Sequence, residues 1–274
     1  MIYLHTGCKY SKPWDDAFKA ALDYHNVQYQ VCDILNIKPT VDDVFIGRID
    51  QSCRHLKYCY KSITNNLAAI WPEQLSIDLY DDKITQVDFL KKYPTPTQNV
   101  VRSEKDVSLE FPIVQKLSHG ASSKNVQLIY SMKDVVYPSV HQEFCTNNDS
   151  DIRVTVIGDY VTAFRRMNRD NDFRASGSNN IIVLNDIPKE LIDISFNICK
   201  ENNFITMAFD FLKLRGKWVI IEMSYTYQMY GITDYCNIYF DITRNKFING
   251  TINPAMVILD KVLTATSHKY QIHF

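Results

Sequence analysis

The sequence predicts an α/β (α+β) protein, in which a small α/β unit precedes a larger region of antiparallel strands. Strand-like runs alternate with a helical pattern in residues 1–75, which is typical of an α/β unit. Further strand-like runs then follow one another across short loops, as they do in hairpins. Two later helical patterns, at residues 188–200 and 254–264, each open with a proline, which is favoured in the first turn of a helix.

The composition is that of an ordinary globular protein with enough chain for a large core. The chain has 274 residues, of which 46% are hydrophobic and 22% are charged. A formal net charge of −1 argues against a general nucleic-acid binder. No run reaches the roughly 18 to 20 continuous apolar residues of a membrane-spanning helix, and the N-terminal segment lacks the apolar core of a signal peptide. We therefore expect a cytoplasmic protein without membrane insertion.

Seven cysteines are scattered along the chain. Cys53, His55 and Cys59 offer three metal ligands, but no second pair with zinc-like spacing follows them. Cys145 and Cys199 lie among apolar residues, which is typical of buried thiols. We expect all seven thiols to be reduced and structural.

The first unit is predicted from one helix and three strands. Residues 13–24 carry apolar side chains at helical spacing and begin with Pro13. The strand-like runs lie at residues 2–5, 28–32 and 44–46. A turn-rich stretch at Trp71-Pro72 leads out of the unit. The segment after it, YDDKITQVDFLKKYPTPT, predicts a helix that Pro94 and Pro96 end.

Residues 111–129, FPIVQKLSHGASSKNVQLI, predict a hairpin with an unusual junction. An apolar strand ends in Lys116, and a loop of small residues leads into the returning strand. A lysine at the end of a buried strand costs solvation free energy unless an anion meets it. Small residues such as Gly120, Ser122 and Ser123 keep backbone N–H groups accessible, which favours phosphate binding. An ordinary hairpin whose lysine extends to solvent accounts for the same residues.

An antiparallel sheet is predicted in the remainder of the chain, from strand-like runs at residues 140–145, 152–157, 161–165, 206–212 and 217–223. Glu222 and Ser224 are two residues apart, so they point to one face of their strand, and Asp210 lies on a strand that can pair with it. Carboxylates that are drawn together repel each other unless a cation lies between them, and a few oxygen ligands hold Mg²⁺ beside substrate phosphates. Pairing of each carboxylate with a nearby arginine is the alternative.

Together these motifs resemble the ATP-grasp superfamily, over nearly the whole chain from Tyr80 onward. The resemblance is carried by DK…L…PTP within YDDKITQVDFLKKYPTPT, the lysine hairpin FPIVQKLSHGASSKNVQLI, QEF, DIRV, NDFRASGS, and DFL…VIIEMS with its extension EMSYTY. It implies an ATP-grasp fold that holds a nucleotide between two α+β subdomains. The implied units are a preceding α/β domain (1–77), a small lid subdomain (78–138) and a large subdomain with a metal-binding hairpin (139–274).

The resemblance implies that ATP phosphates meet three segments. Lys83 and Lys116 contact the phosphates as point charges, and the small-residue loop 120–123 closes over them. Arg174, within NDFRASGS, lies at the γ-phosphate, where charge develops during transfer. Lys116 and Arg174 are therefore candidate catalytic residues.

The adenine, the ribose and the substrate are implied to meet other motifs. QEF contains Glu143 and Phe144 and resembles the hinge that holds adenine, while Asp151 begins DIRV and is implied to bind ribose. Arg165 and Arg166 lie on the strand beside the phosphate loop and are candidates to steer a substrate carboxylate, and Arg165 is a candidate catalytic residue. A solvated basic strand is the alternative for both arginines.

Asp210, Glu222 and Ser224 are the implied ligands of one or two Mg²⁺ ions. Two positions depart from the superfamily pattern, because Ser224 stands where an asparagine is usual and Ser122 where a second glycine is usual. A hydroxyl is a weaker ligand than an amide carbonyl. The number of Mg²⁺ ions is therefore open.

Acceptor recognition is expected from two further groups. Lys9, Arg48 and Arg54 are candidates in the first unit, and residues 225–227 are candidates after the metal hairpin. Ordinary surface charge and packing are the alternative explanations.

The resemblance implies an ATP-dependent carboxylate–amine ligase that forms an amide through an acyl phosphate and releases ADP and phosphate. An ATP-grasp kinase and a nucleotide-binding protein without turnover are alternatives that the sequence does not separate. The motif combination is similar to ATP-grasp proteins of surface polysaccharide synthesis, which implies small carboxylate and amine substrates that are linked to sugars. A homodimer is a further expectation from the superfamily, and no nucleic-acid partner is expected.

Overall fold

The computed structural model describes residues 1–53, 55–63, 67–80, 82–119 and 125–270, without the side chains of residues 58 and 267–270. It contains three β-sheets that are formed by successive stretches of chain and flanked by helices. The predicted α+β class is confirmed. Asp81, Arg54 and the lid residues Gly120, Ser122 and Ser123 lie outside the described residues.

The first sheet has four parallel strands in the order β2-β1-β3-β4. These are β1 (Ile2–His5), β2 (Tyr29–Cys32), β3 (Val44–Ile46) and β4 (Ala69–Trp71). Helix α1 (Lys12–Tyr24) packs on this sheet because Trp14, Phe18 and Leu22 recur at helical spacing and are all buried. Helix α2 (Leu56–Ile63), which the sequence patterns did not predict, completes the unit.

Helices α3 (Gln74–Leu79) and α4 (Lys83–Leu90) lead into the second unit. Asp82 caps α4, because its carboxylate accepts hydrogen bonds from the backbone N–H groups of Ile84 and Thr85 at 3.1 and 3.2 Å. The backbone N–H of Lys83 donates to the carbonyl of Ser118 at 2.9 Å. The start of α4 is therefore tied to the strand that carries Lys116.

The second sheet is antiparallel, with the order β5-β8-β6-β7. Its strands are β5 (Gln98–Val101), β6 (Ile113–Leu117), β7 (Val126–Ile129) and β8 (Ser139–Glu143). The predicted lysine hairpin is confirmed, because Lys116 on β6 pairs with Val126 on β7. The boundary that we predicted at residues 138/139 falls at the start of β8, and we propose that the unit extends through this strand.

The third sheet has seven strands along the path β13-β12-β9-β10-β14-β15, with β11 paired to β10. The strands are β9 (Ser150–Ile157), β10 (Tyr160–Met167), β11 (Ile181–Val183), β12 (Thr206–Leu214), β13 (Lys217–Ser224), β14 (Ile238–Asp241) and β15 (Lys246–Asn249). Helices α5 (Lys189–Asn202) and α7 (Pro254–Tyr270) pack against β9, and a short α6 (Tyr230–Thr233) contacts β10. Helix α7 also packs on α1 and β4, so it joins the third sheet to the first.

The expectation that every cysteine is reduced was wrong for two of them. Cys8 and Cys53, whose Cα atoms are 5.7 Å apart, form a disulfide between the loop after β1 and the turn before α2. Forty-five residues separate them in sequence, so only the folding of the first sheet brings them together. Cys145 and Cys199 are buried free thiols, as predicted. Among the described residues, no helix has both the length and the apolar character needed to cross a membrane.

Candidate active site

A row of charged side chains crosses one face of the third sheet. Antiparallel register places Arg166 of β10 opposite Asp151 of β9, Arg153 of β9 opposite Asp210 of β12, and Asp210 opposite Glu222 of β13. Asp151 and Arg153 are two residues apart, so both point to the same face of β9. We call these five residues the charged row. The register thus brings the two predicted metal-binding carboxylates side by side.

Asp210 lies at the centre of the charged row and is bound by two arginines. Arg153 donates two hydrogen bonds to its carboxylate at 2.7 and 2.8 Å, and Arg166 approaches it to 2.7 Å. Burial opposes ionisation of Asp210, but the two guanidinium groups outweigh burial and hold its pKa well below its usual range. Asp210 is therefore an anion at every physiological pH.

Arg166 also binds Asp151, at 2.8 and 2.5 Å, so it lies between two carboxylates. Burial disfavours its charged form, yet the charges of Asp210 and Asp151 outweigh burial and raise its pKa. Asp151 has a raised pKa, first because it is buried and also because Asp210 repels its negative charge. Arg166 is consequently the cation that lets both carboxylates lie in the interior.

Glu222 ends the charged row, and it is approached by two lysines. Lys83, at the start of α4, forms an ion pair with Glu222 Oε1. Lys116 donates from Nζ to the carbonyl of Ile221 at 2.7 Å, and its charge acts on Glu222 as well. Burial raises the pKa of Glu222, but Lys83 and Lys116 outweigh it, and the pKa is lowered overall.

Lys116 is buried at the end of its strand and has no carboxylate within ion-pair distance among the described residues. Desolvation lowers its pKa to about 8, although Glu222 acts in the opposite direction. An approaching anion would stabilise the charged form further. The sequence predicted this cost in solvation free energy for a lysine at the end of a buried strand.

A smaller cavity of about 90 Å³ lies between the second and third sheets. Val114 and Lys116 line it from β6, and Phe144 and Cys145 line it after β8. Phe144 meets the ring of Phe173 edge-on, with ring centroids 5.7 Å apart. A cavity with apolar walls and the cation Lys116 in its lining suits a nucleotide, whose planar base contacts the walls and whose phosphates meet the cation.

Arg174 lines the smaller cavity from the loop between β10 and β11. Its guanidinium pairs with Asp172 at 2.6 Å and donates to the carbonyl of Val126 at 3.0 Å. Val126 is the partner of Lys116 across the hairpin. Arg174 therefore connects the loop of the third sheet to the lysine hairpin, over the predicted phosphate position.

A larger cavity of about 410 Å³ lies on the other side of the charged row. It is lined by the first sheet through Arg48 and Asp50, by Lys83 of α4, and by Thr226 and Tyr227 after β13. The two cavities share lining residues in the charged row and the loop before β11: Arg166, Ala175, Ser176, Asp210 and Glu222. The cavities therefore meet at the carboxylates.

The segment after β13 is held against the first unit by hydrogen bonds. Tyr225 donates from its hydroxyl to the carbonyl of Ile49 at 2.5 Å, and Trp14 donates from Nε1 to the carbonyl of Tyr227 at 3.2 Å. Tyr225 is a packing residue that lines neither cavity, whereas Tyr227 lines the larger one. These contacts hold Tyr227, a lining residue of the larger cavity, against the first unit.

The structure gathers most of the predicted site residues around the two cavities. Those that line at least one cavity are Lys83, Lys116, Glu143, Phe144, Asp151, Arg174, Asp210, Glu222 and Ser224. Arg165 does not join them. It is next to Arg166 on β10, so alternation turns it to the opposite face of the sheet, and it lines neither cavity.

One functional candidate, Arg153, is missing from the sequence predictions, and Arg166 was predicted without its contact to Asp210. Both arginines hold Asp210, and this role depends on strand register and not on a motif. The spacing of Asp151 and Arg153 was a usable signal, because it places opposite charges on one strand face. The sequence alone does not tell which of Arg165 and Arg166 faces the site. The pairing of β10 with β9 decides it.

The donor set fits one hard cation at the carboxylates. Asp210 and Glu222 offer oxygen atoms on paired positions of adjacent strands, which suits Mg²⁺. Ser224 is less available, because its hydroxyl donates to the carbonyl of Thr226 at 2.8 Å and accepts from the backbone N–H of Thr226 at 3.1 Å. Three of the four lone-pair positions of the Asp210 carboxylate already face arginine donors.

The fold and this cleft define the ATP-grasp class, in which a lysine hairpin and a carboxylate-bearing sheet enclose a site between two subdomains. The sequence model of the RimK-like ATP-grasp domain matches residues 79–248, which is more than half of the chain. This protein belongs to that family. No curated protein sequence matches it.

Solved structures show the same fold at low sequence identity. A RimK domain ATP-grasp protein from Sphaerobacter thermophilus has a TM-score of 0.62 at 12% identity and covers 96% of this chain and 100% of its own. D-alanine–D-alanine ligase from Bacillus anthracis, complexed with ATP, has a TM-score of 0.63 at 13% identity, with 98% and 97% covered. The ATP-grasp ligase PsnB, complexed with minimal precursor, Mg and ADP, has a TM-score of 0.63 at 12% identity, with 97% and 98% covered.

Proposed function

We propose that this protein is an ATP-dependent carboxylate–amine ligase that uses Mg²⁺ and forms an amide through an acyl phosphate. The observation that carries the proposal is the meeting of the two cavities at Asp210 and Glu222. A nucleotide in the smaller cavity would present its γ-phosphate to a second molecule in the larger cavity. Membership of the RimK-like family and likeness to ligase structures support the same reaction class.

The chain's own residues position the reactants and balance their charge. Apolar side chains around Phe144 hold the base, and Lys116 meets the phosphates as a buried cation. Lys83 releases Glu222 when phosphate oxygens arrive and then binds them instead. Arg174 lies where negative charge grows on the transferred phosphoryl group.

Asp210 and Glu222 would hold Mg²⁺, which shields the charge of the phosphates when it is bound. Its binding requires Glu222 to part from Lys83, because that lysine occupies Oε1. Arg153 and Arg166 keep Asp210 ionised and oriented toward the cleft. One ion fits this arrangement, and Ser224 reaches the site only after leaving Thr226.

The reaction has two balanced steps. A carboxylate oxygen of the acid attacks the γ-phosphorus, the bond from that phosphorus to the β,γ-bridging oxygen breaks, and ADP leaves. The amine nitrogen then attacks the acyl carbon, the carbon–oxygen bond to phosphate breaks, and the phosphate departs as the nitrogen loses a proton. Arg166 lines both cavities, which supports a role for it in binding the carboxylate before the first step.

A hydroxylamine assay tests the proposal and separates its alternatives. Purified protein is incubated with ATP, Mg²⁺, hydroxylamine and a panel of carboxylic acids, and both ADP and hydroxamate are measured. A ligase yields ADP together with hydroxamate, because hydroxylamine captures an acyl phosphate. ADP together with a stable phosphorylated product, and no hydroxamate for any acid, would establish a kinase. Binding of a non-hydrolysable ATP analogue without ADP release from ATP would establish a protein without turnover. Sugar-linked substrates, a homodimer and a cytoplasmic location stay predictions of the sequence.

A further inference from the structure

Arg48 is a buried cation on the wall that the first sheet contributes to the larger cavity. It follows β3 by two residues, at the carboxyl ends of the parallel strands, and only 6% of its surface is exposed. Arginine is seldom buried without a paired anion. Its position raises the question of what balances it.

The contacts of Arg48 within the described residues leave part of its guanidinium unused. Nη1 donates to the carbonyl of Tyr10, and it lies 3.7 Å from Asp50 Oδ2, which is beyond hydrogen-bond distance. Nε is buried and has no hydrogen-bond partner in the described part of the chain. Buried donors without partners are rare, and each calls for an explanation.

Asp50 is engaged elsewhere and does not complete the pair. Its carboxylate accepts hydrogen bonds from the backbone N–H of Tyr10 at 3.0 Å and from the backbone N–H of Ser52 at 2.8 Å. The hydroxyl of Ser52 donates to it as well. Asp50 thus shapes the loops around Arg48, while Nε of the guanidinium, on the wall of the larger cavity, keeps an unused donor.

The cations that line the larger cavity differ in how closely a carboxylate approaches each of them. Its described lining residues include four cations and three carboxylates: Arg48, Lys83, Arg153 and Arg166 against Asp50, Asp210 and Glu222. The cations of the charged row and Lys83 have carboxylate partners at 2.8 Å or less. Arg48 alone among these four described cations has no carboxylate within hydrogen-bond distance.

The surroundings of Arg48 are held in place by contacts from separate parts of the fold. Tyr225 binds the carbonyl of Ile49, the residue after Arg48, and the disulfide between Cys8 and Cys53 joins the two flanking loops. A cation held in this way is preorganised for an anion of matching shape. Guanidinium groups match carboxylates in a planar, two-pronged geometry.

We propose that Arg48 binds a carboxylate of the substrate in the larger cavity, separate from the group that reacts. The substrate class is then an amino acid acceptor, or a dicarboxylic acid of which one carboxylate reacts. This inference rests on the proposed function, because it assigns the larger cavity to the substrates. It makes Arg48 a specificity-determining residue and gives it no part in phosphoryl transfer.

Paired ligands that differ only in the second carboxylate test the proposal. The panel contains the twenty standard amino acids with their α-amides, and succinate, glutarate and malate with their monomethyl esters. Binding is measured by thermal shift and calorimetry, with and without Mg²⁺ and a non-hydrolysable ATP analogue. ADP release then gives kcat and KM for each ligand that binds. A preference among the amino acids identifies an acceptor, and one among the dicarboxylates identifies the acid substrate.

Wild type is compared with Arg48→Gln, Arg48→Lys and Arg244→Gln. Arg244 is an exposed arginine outside both cavities and serves as the matched control. We expect Arg48→Gln to raise the KM of the preferred carboxylate ligand about 10- to 100-fold, the scale of a hydrogen bond to a charged group, with kcat nearly unchanged. The amide or ester counterpart should bind wild type and Arg48→Gln equally. Arg48→Lys keeps the charge and should recover part of the loss.

Three results would overturn the proposal: equal affinity for each acid and its capped counterpart, equal KM in wild type and Arg48→Gln, or no binding by any panel member. The ATP analogue separates this failure from failure of the proposed function. If the analogue stabilises wild type and Arg48→Gln alike, the nucleotide site is intact and only the role of Arg48 is rejected. If it stabilises neither while panel carboxylates still bind through Arg48, the nucleotide assignment fails and the role of Arg48 stands.

Discussion

The smaller and larger cavities meet at the same two carboxylates, yet they are built in different ways. The smaller one, of about 90 Å³, is enclosed by two sheets and combines apolar side chains with seven charged ones. The larger one, of about 410 Å³, takes its walls from all three units and carries Arg48 and Asp50 from the first. The residues that form a site for a common cosubstrate can lie within short sequence motifs. A site for a particular substrate depends on how distant segments are packed together.

Removal of Arg166 should have the largest effect, because both cavities depend on it. Arg166→Met leaves Asp151 and Asp210 buried with fewer cations, so we expect the free energy of unfolding to fall by about 3–5 kcal/mol at pH 7. The substitution raises the folded-state pKa of Asp151 further above its unfolded value. Stability is then lost as pH rises from the unfolded pKa toward the folded one, and the loss should shrink near pH 4. Urea unfolding at both pH values measures it.

Two matched variants sharpen this result. Arg165→Met removes the neighbouring guanidinium from the opposite face of β10 and should cost far less stability. Adding Asp151→Asn to Arg166→Met should recover part of the loss, because one uncompensated carboxylate is gone. An equal loss for the two single arginine variants would show that the charged row does not govern stability.

Glu222→Gln should lower the rate of the reaction through a change of charge at the reaction centre. The amide keeps the shape but loses the charge that pairs with Lys83 and that we propose binds Mg²⁺, so we expect kcat to fall about 10²- to 10³-fold. ADP release measures the change, and Glu190→Gln on the exposed surface of α5 is the control. Full activity in Glu222→Gln would remove this residue from the reaction centre.

The smaller cavity should show a pH dependence that the larger one lacks. The Lys116 pKa of about 8 means that its ammonium loses a proton as pH rises through 8 in the free protein. Affinity for an ATP analogue should then weaken by up to about tenfold per pH unit above 8, because phosphates prefer the charged lysine. Calorimetry from pH 7 to 9.5 measures it.

The same pKa predicts an opposite trend in stability. The folded-state pKa lies below the unfolded value of about 10.4, so the unfolded chain binds the proton more tightly between pH 8 and 10.4. The contribution of Lys116 to stability therefore rises with pH in this window. Lys116→Arg, which stays charged, should lose both trends, and an identical pH profile in the two proteins would contradict the assignment.

Ser224→Asn should have the smallest effect. An amide oxygen is a better ligand for Mg²⁺ than a hydroxyl that is bound to Thr226. We expect the Mg²⁺ concentration that gives half-maximal stabilisation by the ATP analogue to fall a few-fold. A titration of Tm against Mg²⁺ measures it, with Ser178→Asn, elsewhere on the larger cavity, as the control. An unchanged midpoint would place Ser224 outside the metal site.

Local patterns in the sequence predicted a large share of the fold. The strand Ile2–His5, the helix Lys12–Tyr24 and the hairpin around Lys116 all form close to their expected bounds. The patterns missed short elements such as β4, β5 and α2, because a few residues carry too little periodicity to distinguish them from loops. Strand order was not readable either, since pairing joins residues that are distant in the chain.

The sequence by itself determined which residue types were available and which of them share a strand face, as with Glu222 and Ser224 or Asp151 and Arg153. Only the tertiary structure decided how these groups are paired. Register across three strands places Arg153 and Arg166 on Asp210 and turns Arg165 away. Loop packing after β3 leaves Arg48 3.7 Å from Asp50, beyond hydrogen-bond distance. The physical reason is that the electrostatic free energy of a charged pair depends on the distance between the two side chains and on how deeply each is buried. Both quantities are set when separate sheets pack together.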